Sequence, residues 1–150
     1  KANIESFGYG KGYTFADDYW IAIFKMLDRI RNRGVAIAVI AHSASVVVDD
    51  PTVGSYNRMQ PKLHKRASAL LVEWADIVGY LDIERVPVDR GSDKRTTRTS
   101  ATTGNRRLHL EDGGGFAAKN RYGLTAMMDI AATEGAAPLL DAIKSGGKTK

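Results

Sequence analysis

Apolar residues recur at three- and four-residue spacing early in the chain. Trp20, Ile23, Phe24, Leu27 and Ile30 fall on one stripe of a helix capped at Thr14 or Asp17 and running to about Arg33. Lys25, Arg29, Arg31 and Arg33 gather toward its carboxyl end, where the helix dipole favours cations, and Gly34 is a stop signal. The period then changes. Val35-Ala-Ile-Ala-Val-Ile-Ala41 is apolar at every position, rich in β-branched residues, and ends in polar His42-Ser43. A strand buried on both faces of a parallel sheet needs such a continuous run. Helix, glycine and buried strand in succession make half of an α/β repeat.

Residues 43–60, with Asp49-Asp50-Pro51, Gly54 and Ser55, read as a long loop. A second helix is predicted from near Pro61 to about Asp76, with Leu63, Ala67, Leu70, Leu71 and Trp74 on its inner face. Lys62, Lys65 and Arg66 crowd its start, where the dipole disfavours cations, so they either meet a partner or stay exposed. Residues 77–84 read as a second strand. Residues 95–100 and 106–111 pair as short antiparallel strands around Thr102-Thr-Gly-Asn105. Gly113-Gly-Gly115 is a flexible break, 117–123 a polar connector, and about 137–144 a last helix. The organisation expected is a single domain over 1–150 with a weakly ordered tail at 125–150. Near the start, Gly8, Gly10 and Gly12 follow no strand, so Phe7-Gly-Tyr-Gly-Lys-Gly-Tyr13 reads as a loop and not as a dinucleotide fingerprint.

The chain has 150 residues, 43% hydrophobic and 26% charged, a balance that suits one globular domain and argues against disorder. The apolar run at 35–41 is too short to cross a bilayer, so no membrane association is expected. Without cysteine there is no disulfide framework and no thiolate metal site, and no secretory leader is visible; the expected location is cytoplasmic. Net charge is +5. Arg85, Arg90, Lys94, Arg95, Arg98, Arg106 and Arg107, opposed only by Asp89 and Asp93, carry the whole of that excess. A local cationic stretch rich in Thr, Ser and Gly is either a phosphate-backbone contact or a solvated hairpin.

Ligands of open parallel sheets bind beyond the carboxyl ends of the strands. His42 and Ser43 hold that position after the run at 35–41, where His42 either meets a phosphate or simply caps the strand. His64 and His109 show no metal spacing with His42 or each other. No G-x-S-x-G elbow and no G-x-x-x-x-G-K-[ST] loop occurs, so the chain does not cradle a triphosphate in the usual way. Asp17-Asp18 and Asp49-Asp50 suit caps and turns better than paired acid–base work. Lys119 and Arg121, around Asn120, are either phosphate contacts or a surface turn.

Several short motifs follow one another in order: Phe7-Gly-Tyr-Gly-Lys-Gly-Tyr13, Ala36-Ile-Ala-Val-Ile-Ala-His42-Ser43, Asp49-Asp-Pro51, Tyr56-Asn-Arg58, Leu63-His-Lys-Arg-Ala67, Glu73-Trp-Ala-Asp76 and Ala118-Lys-Asn-Arg-Tyr-Gly-Leu124. In that order they resemble phage-encoded RecA-fold ATPases of the AAA type. The resemblance implies an α/β fold: a partial RecA-like P-loop NTPase core, its parallel strands flanked by helices, plus a basic β-hairpin. It implies the C-terminal portion of such a protein, beginning after the Walker B strand, and a first residue of Lys agrees. His42 then corresponds to the sensor of the γ-phosphate, and residues 43–60 to the DNA-binding loop, with Tyr56 and Arg58 as contacts. Lys62, Lys65 and Arg66 extend that basic surface, Arg95 and Arg98 supply the basic hairpin, and Lys119 and Arg121 reach a neighbouring subunit's nucleotide. At Thr125 the family usually has Pro, so no role is carried past Leu124.

Three functions follow. The first is a nucleotide-binding ATPase module of phage DNA recombination or single-strand annealing. The complete protein would use ATP and Mg2+ and form a homo-oligomer on single-stranded DNA in the bacterial host, whereas this chain alone would bind neither ATP nor Mg2+ and be inactive. The second is a non-catalytic single-stranded nucleic-acid-binding module. The third is a structural or oligomerisation domain whose cations keep it soluble. Absence of single-stranded DNA binding at low salt would remove DNA from the first two, and charge reversal at Arg95 and Arg98 tests the ribbon. In filter binding at rising salt it should weaken single-stranded DNA binding equally for all sequences, and unchanged affinity would acquit the ribbon.

Overall fold

The computed structural model describes residue 8 and residues 11–88, 99–131 and 133–146. Its elements run α1 (Lys11–Arg31), β1 (Ser43–Asp50), β2 (Gly54–Pro61), α2 (Lys65–Trp74), β3 (Ile77–Val78), β4 (Tyr80–Val88), β5 (Thr99–His109), β6 (Lys119–Asn120), β7 (Met127–Ile130) and α3 (Ala137–Lys144). They form a mixed α/β chain that divides into two compact units, Lys1–Ala75 and Asp76–Lys150.

In the first unit, α1 packs on α2 through aromatic rings. Phe24, buried on α1, stacks on Trp74 of α2 with ring centroids 5.0 Å apart. The Trp74 indole donates to Asp28 Oδ1 at 3.0 Å, so its polar edge is satisfied where its body is covered. Two turns nearer the start of α1 than Phe24, Asp17 Oδ2 accepts from Arg66 Nε at 2.7 Å, and one turn further Tyr13 stacks on His64 with centroids 3.9 Å apart. Positions 13, 17, 24 and 28 therefore form the seam, and Ala67, Ser68 and Leu71 are buried on α2. A second stripe on α1, Phe15, Tyr19, Ile23, Met26 and Ile30, is exposed.

The strand expected at 35–41 is not formed. These residues have no regular secondary structure, and Val35, Val39 and Ile40 are exposed, Ile40 by 97%. A β-branched run becomes a strand only where a neighbour takes its backbone groups, and no described strand pairs with this one. The parallel core is likewise missing among the described residues, where every ladder is antiparallel.

Residues 43–60, expected as a loop, form an antiparallel hairpin, β1 on β2, from Ser43↔Pro61 to Asp50↔Gly54. Val46, Val47 and Val48 favour the extended backbone, and the three residues 51–53 make the turn. Asp50 Oδ1 accepts from the amides of Thr52 and Val53 and from the Thr52 hydroxyl, and Gly54 takes φ +84°. A turn closed by a left-handed glycine matches a three-residue hairpin loop.

The second unit is built on β4–β5–β7, with the short pair β3–β6 beside it in sequence. The expected strand at 77–84 is divided into β3 and β4. The expected turn at 102–105 is instead a bulge inside one long strand, β5. The register jumps between Ile83↔Arg106 and Arg85↔Thr102, and Gly104 adopts φ +83° there. Connection 89–98 is outside the described residues, as are Arg95 and Arg98. The polar connector at 117–123 contributes β6, and the expected tail holds β7 and α3. Leu110, Leu124 and Ala142 form the core of this unit, with Ile77, Leu108, Met128, Leu139 and Ile143 packed around them.

The two cores predict separable losses. Phe24→Ala should cost the first unit about 3 kcal/mol, and Leu110→Ala should cost the second a similar amount. Hydrogen exchange under native conditions should show each loss confined to its own unit. Global loss from either substitution would mean the units unfold together.

Candidate functional site

His42 is exposed and sits at the foot of the β1–β2 hairpin. Its carbonyl accepts the Lys62 amide at 2.7 Å, one step beyond the Ser43↔Pro61 pair. The sequence placed His42 at the end of a buried strand; the structure places it instead between an unpaired apolar run and the first residue of β1. Tyr56 and Arg58 lie two apart on β2, opposite Val48 and Val46, and so share one face of the hairpin. That face is partly covered at Tyr56, Arg58, Val48 and Ala44. Lys62, Lys65 and Arg66 follow and are exposed. The dipole conflict at the start of α2 is resolved for Arg66, whose guanidinium is held by Asp17.

The described part of the basic ribbon is not cationic overall. Arg107 pairs with Glu84 and lies 3.7 Å from Asp129, and Asp82 stands beside it across the ladder. Arg85, Arg106 and Arg107 are thus matched in number by Asp82, Glu84 and Asp129. Any cationic surplus of the ribbon belongs to the connection 89–98.

Lys119 and Arg121 flank Asn120 at the end of β6. The β3–β6 ladder, Ile77↔Asn120 and Val78↔Lys119, is prolonged by the Arg121 amide donating to the Asp76 carbonyl at 3.1 Å. The Arg121 guanidinium also reaches Asp76 Oδ1 at 3.0 Å. Asn120 braces the turn from both ends, its Nδ2 donating to the Leu124 carbonyl and its Oδ1 accepting the Tyr122 amide. Lys119, half-buried, and Arg121, paired with Asp76, are therefore carried on a braced turn. A cleft of about 310 Å³ is lined by Lys119, Asn120, Leu110, Leu124, Glu111 and Asp112. Its two carboxylates oppose the charge of any anion drawn to Lys119.

The sequence reading missed a cluster on the second unit. His109 Nε2 lies 3.2 Å from Asp82 Oδ1, and the His109 ring is 4.6 Å from Phe116, which stacks on Tyr80 at 4.9 Å. Tyr80-x-Asp82 and Arg107-x-His109 share a face only in the register Tyr80↔His109. A turn placed at 102–105 hides that register. Among the described residues, no group of His, Asp and Glu side chains is placed to hold a metal ion, and no helix is long and apolar enough to cross a membrane.

Polar residues thus gather at a hairpin foot in the first unit and, separately, on a braced turn in the second. The chain belongs to the AAA domain family, whose family model matches residues 1–122, and is an AAA-type nucleotide-binding, ATPase-like domain. Neither a curated protein nor a solved structure matches it.

At the hairpin tip, the Thr52 hydroxyl first, then the Thr52 amide and, least, the Val53 amide hold the Asp50 carboxyl below its ordinary value, against an opposing effect of desolvation. A depressed value stabilises the turn at pH above the ordinary aspartate range, and the contribution disappears as pH falls through the folded value. An NMR titration should place the Asp50 midpoint below that range, with the Thr52 and Val53 amides moving in step. Thr52→Ala should raise the midpoint, and no movement would remove the hydroxyl from the account.

Proposed function

We propose that this chain is the part of a phage RecA-like ATPase that couples nucleotide state to single-stranded DNA, in recombination or single-strand annealing within the bacterial host. The observation that carries the reading is the position of His42 in a chain of the AAA domain family, at the root of the β1–β2 hairpin and bonded to Lys62. A side chain that senses the γ-phosphate there can transmit a displacement through one backbone bond to both strands of the hairpin. Tyr56 offers a ring for base stacking and Arg58 a guanidinium for phosphate, with Lys62, Lys65 and Arg66 extending the cationic surface. Arg95 and Arg98 belong to the same reading through the ribbon connection.

Lys119 and Arg121 suit contact with a nucleotide held by a neighbouring subunit, where fixed cations stabilise charge on the transferred phosphoryl group. A triphosphate fits them by charge, although Glu111 and Asp112 oppose an anion in the cleft beside Lys119. ATP and Mg2+ on this reading are held chiefly by a phosphate-binding loop, and the present sequence contains no such motif. The unpaired apolar run at 35–41 also favours the reading, because its composition suits the interior of a parallel sheet. The non-catalytic DNA-binding reading draws on the same hairpin and on the localised positive charge.

Two measurements test the proposal. Isothermal titration of this chain with ATP and Mg2+ should give no tight binding, and tight binding would overturn the assignment of the triphosphate cradle to other polypeptide. Filter binding with single-stranded DNA at low salt should show binding that Arg58→Glu with Lys62→Glu weakens about tenfold, lowering the salt slope by about 1 per contact removed. Equal affinity of the double variant would remove the hairpin from DNA binding.

A further inference from the structure

Helix α1 has two apolar faces. Phe24 carries one of them into the seam with Trp74 of α2. The other holds Tyr19, Ile23, Met26 and Ile30, spaced four, three and four residues apart, and all four are exposed, Tyr19 by 74% and Met26 by 61%. That spacing is the repeat by which two helices interlock as knobs in holes. It also reads the same in both directions. Two copies of the helix laid antiparallel about a two-fold axis between residues 24 and 25 therefore set Tyr19 against Ile30 and Ile23 against Met26, each pairing made twice. Charge distinguishes the two possible directions. Asp18 and Arg29 lie on one flank of the stripe, near opposite ends of the helix, and both are exposed. An antiparallel pair brings like flanks together, so Arg29 of one copy faces Ala22 of the other, whose small side chain leaves it room to reach Asp18 one turn away. A parallel pair would turn the same flank toward Trp20 and Leu27, where it meets no opposite charge.

We propose that this face of α1 is a docking surface for a second copy of this chain, met as an antiparallel helix pair with an Asp18–Arg29 ion pair at each end. Burial of the four apolar side chains drives the association, and the ion pairs choose its direction. One helix from each copy makes a small interface, so the dimer forms in the micromolar range and dissociates on dilution. The pairing uses the first unit alone and requires no nucleotide, so it stands or falls separately from the reading of His42 and the hairpin.

The test is sedimentation equilibrium of the full chain from about 1 to 500 µM, with the fold of each variant checked by circular dichroism. The unaltered chain should pass from monomer to dimer within that range. Ile23→Lys combined with Met26→Lys, both at exposed positions, should stay monomeric throughout. Asp18→Arg and Arg29→Asp should each weaken the dimer about fivefold by setting like charges together, and the two in one chain should restore it. The charge variants alter no apolar side chain, so they carry the test even if the lysine pair disturbs the fold. A monomer at every concentration would overturn the proposal, and so would an assembly larger than a dimer or a dimer that survives both lysines. Loss of the dimer in the lysine variant with no response to either charge reversal would overturn the antiparallel pairing.

Discussion

An extended peptide must hand its N–H and C=O groups to a neighbour, and that requirement arranges this molecule more than any single side-chain contact. Where the chain supplies its own partner, strands form: β1 folds back on β2 through a three-residue turn, and β5 lies between β4 and β7. Where no described strand offers a partner, as at 35–41, even a continuous apolar run stays irregular and largely exposed. The hydrophobic effect then fills in around the ladders. Leu110 continues β5 and donates its amide to the Ala126 carbonyl, which carries its side chain into the core with Leu124 and Ala142.

Charge follows the same logic. Basic residues that look alike along the sequence have different fates once strands pair. Arg107 is neutralised across the ladder by Glu84, Arg66 is tied to Asp17, and Arg121 is bound twice to Asp76. Lys62 and Lys65 remain on the surface next to the hairpin foot. An exposed ion pair adds little to stability, so the chief effect of the Arg66 and Arg121 pairings is to orient their guanidinium groups, whereas the Arg107–Glu84 pair is partly buried.

The two units present different chemistry. The first joins an aromatic helix pair to a hairpin rooted at His42, whose carbonyl accepts the Lys62 amide. The second fixes Lys119 and Arg121 on a braced turn beside a cleft that Glu111 and Asp112 also line. Membership of the AAA domain family gives both features a common context in nucleotide handling.

The helices were legible because their information is local. The stripe through Trp20, Phe24 and Leu27, the stop at Gly34 and the inner face of Ala67 and Leu71 depend on spacing alone. The local chemistry of the hairpin tip, Asp50-Pro-Thr-Val-Gly54, was equally present in the sequence, although the segment around it reads as a loop. What tertiary structure decided was pairing. That Tyr80 stands opposite His109, that Gly104 bulges rather than turns, and that Asp76 meets Arg121 across 45 positions depend on which strands come together. Residue spacing encodes periodicity along one element, but register between elements is set by the competition of all available partners for the same backbone groups.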